Sequence, residues 1–207
     1  MGSDDNWMIL PRKGLGELKF GMSPAQVDAL SDVYGTVTGR VDDRVPDAVL
    51  LDTLEKFGDA LSEEEKQSLI AAYEESAPPA DSVTETRGEP GLVLGYRRSR
   101  LVEIMPAVDQ RPLFLDGTDV FALPGLEPLA LLERMNGGPG RYAGIEAAFD
   151  ELALSVDGFC VTDPVDGGVH ALEETDERFL QRTVMLREEP YRPEGEMGRF
   201  IVHRVSG

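Results

Sequence analysis

With 207 residues and 22.6 kDa, the chain has room for one domain or two small ones. It is 41% hydrophobic and 29% charged with a mean hydropathy of −0.23, which excludes collagen-like, coiled-coil and wholly disordered chains. Twenty Lys and Arg stand against 39 Asp and Glu, a net charge of −19; that field argues against binding nucleic acid or an anionic membrane and would draw in a basic protein partner, although it also serves solubility alone.

No segment has the run of about 18 apolar residues that a membrane span needs. The first seven residues carry acids where a leader carries bases, and the single Cys160 excludes an internal disulfide framework or a multi-cysteine zinc site. The expectation is a cytoplasmic protein.

Along the chain, Leu15, Leu18 and Phe20 form a glycine-broken apolar lead-in. Ser23, Pro24 and Gln26 then make a capping box that opens a helix through Val27 and Leu30, with Gly35 as its stop. A second helix is predicted over Asp47–Leu61, with Leu50, Leu54, Phe57 and Leu61 on one face. Ser62 and Glu65 cap a third that reaches Ser76 and buries Leu69, Ile70 and Tyr73. The Pro- and Thr-rich stretch 78–90 reads as a linker or exposed loop, separating a helical module, 1–77, from a sheet module with one helix, 91–207. A single domain overall is the other reading.

Beyond it, Leu92–Tyr96 and Leu101–Met105 form a hairpin around Arg97-Arg98-Ser99-Arg100. Leu113–Leu115 and Val120–Leu123 read as strands about the Asp116-Gly117 turn. Leu126–Met135 is helical and stops at Gly137. Leu152–Val156, Phe179–Leu186 and Phe200–Val205 complete the strands. The fold class is α+β, short helices on an antiparallel sheet. Phe20–Gly35 also lies over Phe121–Gly137 with one insertion, matching Phe20 to Phe121 and Val27, Leu30 and Val33 to Leu129, Leu132 and Met135. That echo points to two related modules.

The segment Leu15-Gly-Glu-Leu-Lys-Phe-Gly-Met-Ser-Pro-Ala-Gln-Val27 resembles a bacterial pattern of strand, Phe-Gly-Met-Ser, and short helix. It is similar to β-lactamase-inhibitor-protein-like helix-plus-sheet modules and to actinobacterial immunity-type proteins of toxin systems. The resemblance covers about 20 residues and implies a non-enzymatic, protein-binding role. It carries no binding residues over, and the leader and paired cysteines of the secreted members are absent from this sequence.

Hydrolase, phosphate-loop, zincin and dinucleotide motifs are missing. Cys160 and His170 would make a nucleophile–base pair only if the fold joined them, and the apolar Phe-Cys-Val context reads as a buried thiol. Asp157, Asp163 and Asp166 read as turn residues rather than cation ligands, so no metal or cofactor is expected. Trp7 reads as a pin holding the terminus to the fold.

Charge distribution supplies the candidate site. Glu146–Glu177 holds ten acids and no Lys or Arg, and Asp59–Glu89 holds nine acids against Lys66 and Arg87. Within these blocks Glu63, Glu64, Glu173, Glu174, Asp176 and Glu177 are the candidate partner-binding residues, facing a basic protein. Arg97, Arg98 and Arg100 pair with the protein's own acids or grip an acidic partner. The resulting expectation is an acidic interaction module, in its sharp form an inhibitor of a cationic toxin. The alternative is a small-molecule-binding or enzymatic domain with a carboxylate pair in a pocket between helices and sheet.

Overall fold

The computed structural model describes residues 3–45, 47–56, 61–89, 91–106, 112–163, 165, 167–193 and 195–205. A 3-10 turn, Ser3–Trp7, leads into a small sheet of β1 (Ile9–Leu10), β2 (Gly14–Leu15) and β3 (Leu18–Lys19). Ser23 closes the predicted capping box over α1 (Pro24–Asp28). The single helix expected here is two, because the Ser31 hydroxyl bonds the Asp28 carbonyl at 2.6 Å and diverts it from the ladder. α2 (Ser31–Tyr34) ends at Gly35, φ 76°.

A four-strand meander follows: β4 (Val37–Asp42), β5 (Ser82–Arg87), β6 (Leu92–Arg97) and β7 (Arg100–Pro106). Between β4 and β5 the chain detours through α3 (Asp47–Lys56) and α4 (Glu63–Ser76). The box at Ser62 and Glu65 is present. Residues 57–60 of the helix predicted before it, Phe57 among them, lie outside the described residues, as do the side chains of Leu50 and Ser76, and Leu61, its predicted end, is a bend. Leu69, expected inside, is 49% exposed, and Ile70 and Tyr73 are half-buried. The Tyr73 hydroxyl instead accepts from the Val45 N–H at 2.8 Å and donates to the Val45 carbonyl at 3.2 Å.

The second half repeats the plan. The hairpin β8 (Phe114–Leu115) and β9 (Thr118–Asp119) turns through Asp116 and Gly117, both at positive φ. Val120–Ala122 is a 3-10 turn rather than the expected strand, because Asp119 caps it by accepting from the Phe121 N–H at 3.1 Å. α5 (Glu127–Asn136) stops at left-handed Gly137. Then come β10 (Gly140–Ala143), β11 (Glu146–Phe149), β12 (Leu154–Asp157), the small pair β13 (Cys160–Thr162) and β14 (Val169–Ala171), α6 (Glu177–Leu180), β15 (Thr183–Arg187) and β16 (Ile201–His203). The first residues of the strand predicted from Phe179 are the helical α6, nucleated by its Asp176 cap.

The main sheet runs β16-β10-β11-β12-β15-β7-β6-β5-β4. Each half therefore contributes a helix, a positive-φ glycine and a four-strand antiparallel meander. The last strands of the two meanders, β7 and β15, meet antiparallel at the centre, with Leu186 opposite Ile104 and Arg187 opposite Glu103. Antiparallel pairing of equivalent strands relates the halves as a two-fold axis would. The echo positions share roles: Val27 and Leu129 are fully buried, and Phe20 and Phe121 both pack against the core. The stretch 78–90, read as a linker, carries β5, which ties β4 to β6 within the continuous sheet.

Side chains alternate across this sheet, as its period of two demands. Leu92, Leu94, Tyr96, Ile104, Val184, Leu186, Leu154, Val156, Phe149 and Tyr142 face the helices and are buried. Trp7 joins them, edge-on to Tyr34 at 5.8 Å, as the pin the sequence suggested. At one edge the inward positions are charged. Arg87, its side chain wholly buried, bonds the Asp28 carboxylate, donates to the Val27 carbonyl at 3.4 Å and lies 3.3 Å from Glu85, which accepts from Tyr96 at 3.4 Å.

Candidate functional site

The face opposite the helices is where the chain leaves side chains unmatched. It carries Gly95, Val93, Met105 and Glu103 over the first meander, and Arg187, Met185, Thr183, Ser155, Asp157 and Glu146 over the second. Most of these are half-buried, because residues 188–193 and 195–200 lie across the face as a strap. Its anchors are polar: Arg141 donates to the Tyr191 carbonyl at 2.5 Å and to Asp150 at 2.6 Å, Arg199 reaches Glu146 at 2.5 Å, and the Arg187 guanidinium lies 4.5 Å from the Tyr191 ring centre.

Three depressions adjoin along this face. One, of about 260 Å³, is bounded by Glu146, Asp157, Ser155, Thr183, Tyr191 and Phe200. Arg187 and Tyr191 form its shared wall with a second, of about 440 Å³, that reaches the β6–β7 hairpin. Thr183 joins it to a third, of about 340 Å³, near Val93 and Met105.

Glu146 and Asp157 stand directly opposite each other on β11 and β12. Burial first, and the neighbouring Glu146 charge second, push the Asp157 carboxyl above its ordinary range. No base offsets Asp157 among the described residues, whereas Glu146 is held by Arg199, so the pair carries two carboxylates against one guanidinium. Arg97 and Arg100 lie on the same face beyond β15, roughly 25 Å away at the usual strand spacing and rise per residue.

The acids selected by charge lie on the two insertions. Glu63 and Glu64 start α4, and Glu63 is paired with Lys66 at 2.6 Å. Glu173 and Glu174 are exposed after β14. Asp176 caps α6 and takes two guanidinium bonds from Arg178, at 2.9 and 2.6 Å, which pull its carboxyl down to about 2. Glu177 is in the first turn of α6 and accepts from Gln181 at 3.3 Å. Two of the six thus already have internal cations, and one block lies between β4 and β5, the other between β14 and β15.

Cys160 is buried and its thiol is pushed up to about 12, chiefly by desolvation. His170 sits opposite Val161, so it points away from Cys160 and is exposed; the two form no nucleophile–base pair. Asp163 closes a turn by accepting from the Val165 N–H at 2.7 Å, and Asp166 lies outside the described residues. Among the described residues no three His, Cys, Asp or Glu side chains converge on a point, and no helix is long and apolar enough to cross a membrane.

No family model matches the chain, and neither a curated protein nor a solved structure matches it significantly.

Proposed function

We propose that the chain is a non-enzymatic interaction module that receives a basic protein partner on the open face of its nine-stranded sheet. In its sharp form it is a cytoplasmic, immunity-type inhibitor that covers the active cleft of a cationic toxin. The observation that carries this reading is Asp157, half-buried and with no base beside it among the described residues, next to the Arg199-bound Glu146 in a depression walled by Tyr191 and Phe200. A partner's Lys or Arg would meet both carboxylates there, and the rings add cation–π attraction. The −19 field supplies the encounter rate, with Glu63, Glu64, Glu173, Glu174 and Glu177 acting at long range.

Affinity capture at low and then moderate salt tests it, followed by kinetics on the retained basic protein. Asp157→Asn with Glu146→Gln should weaken binding by about tenfold or more, mainly through faster dissociation. Neutralising Glu63 and Glu64 should slow association several-fold and flatten its salt dependence. Equal affinity for the Asp157 and Glu146 variant would remove this face from the interface.

The same carboxylate pair favours a second reading, a small-molecule site using two acids in unequal environments. A rise in melting temperature with one member of a metabolite panel, lost in Asp157→Asn, would select it.

A further inference from the structure

The β6–β7 hairpin departs from the cheapest way to build itself, in three respects. Its two-residue turn holds Arg98 and Ser99 at φ 53° and 55°, where Asn-Gly meets the left-handed geometry with far less strain. The residues flanking the turn, Arg97 and Arg100, are directly paired across the strands, and like charges in that position repel. Neither side chain has an ion pair or hydrogen bond among the described residues, in a chain with almost two acids per base. Arg98, by contrast, is held by Asp81 at 3.1 Å, and Arg187 by Glu103 at 3.0 Å.

Both arginines line the depression of about 440 Å³, within the size range of small-ligand pockets, and the Arg100 guanidinium lies over the backbone of Gly21. Pro190 and Tyr191 form part of its far wall, together with Glu188 and Glu189, which pair with neither arginine. Local strain and local repulsion at one point beside a cavity mark a position kept for something other than stability.

We propose that Arg97 and Arg100 form an anion-binding notch that holds an oxyanion carrying two or more negative charges, a phosphate or a pair of carboxylates, between their guanidiniums. The donors supply bidentate bonds to such a group, and the ligand removes the repulsion between them. Glu188 and Glu189 set a threshold: a weakly charged anion gains too little from the arginines to offset them. The notch does not depend on the basic partner proposed above.

Two probes distinguish the source of the anion: inorganic pyrophosphate and a blocked Glu-Gly-Glu tripeptide, each titrated into the full chain at low ionic strength and followed by amide chemical shifts. Saturable shifts confined to residues 95–102 and 187–193 are expected, and the probe saturating at lower concentration identifies the ligand as free phosphate or acidic peptide. Arg97→Gln with Arg100→Gln should weaken binding by about tenfold or more, and Glu188→Gln with Glu189→Gln should tighten it. Without ligand, Arg97→Gln should melt no lower than the native chain. Absence of saturable shifts with both probes, unchanged binding by the double arginine variant, or a lowered melting temperature for Arg97→Gln would each overturn the assignment.

Discussion

Under α1, the N-terminal half holds Arg87 between Asp28 and Glu85, with Tyr96 completing the group. The C-terminal half holds one carboxylate, Glu133 of α5. It accepts from the Tyr142 hydroxyl at 2.8 Å, the Gly140 N–H at 3.2 Å and the Val205 N–H at 3.1 Å. The same helix-and-meander plan is thus fastened in two ways. The first network sets one guanidinium against two carboxylates, with the neutral Tyr96 hydroxyl donating to one of them. The second is one acceptor among donors, and it ties a helix, an edge of the sheet and the chain after β16 together.

The sharpest way to break that contrast is Arg87→Ala, which leaves buried Glu85 with only the exposed Arg40, 4.0 Å away; a loss of about 3 kcal/mol in urea unfolding is expected. Arg87→Met with Glu85→Leu should recover most of it, because an apolar pair needs no counter-charge. Glu133→Ala should cost about 3 kcal/mol by the same measurement, since two backbone donors and a hydroxyl lose their acceptor at once. Glu133→Gln keeps one oxygen acceptor and should cost less.

The echoed glycines sharpen the comparison further. A Cβ on Gly35 would come within 2.4 Å of the Glu89 carbonyl oxygen, whereas one on Gly137 would meet nothing within 4 Å. Gly137→Ala should therefore cost about 1 kcal/mol for its left-handed backbone alone, and Gly35→Ala about 2 kcal/mol or more.

The smallest effect has the opposite sign. The Asp157 carboxyl is raised above its ordinary 3.8, so its charged form opposes folding. That contribution is absent below the unfolded value and grows as pH rises through the folded one. Asp157→Asn should match the native melting temperature near pH 3 and exceed it slightly at pH 7, while weakening the proposed partner binding.

The caps at Ser23 and Ser62, the stops at Gly35 and Gly137 and the hairpin around Arg98 were legible because each is chemistry within a few residues. The likeness of the two helix-and-meander halves was hinted at by the recurring apolar spacing of Val27 and Leu30 in Leu129 and Leu132. β5 was not: its inward positions are Glu85 and Arg87, so the alternation that marks a strand is hidden by buried charge. β10 and β11 are short and rich in Gly and Ala, residues with little strand preference. The candidate site follows the same division. Runs of acids selected the insertions, whereas Glu146 and Asp157 are eleven positions apart and become neighbours only through the β11–β12 register. The arginine cluster was visible, but which two of its members lack partners was a matter of tertiary geometry.

The seam between β7 and β15 has a consequence for either half taken alone. Cut there, each fragment would present a bare strand edge whose inward residue, Ile104 or Leu186, lost its cross-strand neighbour. The strand that fits such an edge best is its own counterpart in another copy, running the opposite way. A single module should therefore self-associate into a twin that mimics the intact chain, and the fused protein embodies that twin with its two members free to diverge.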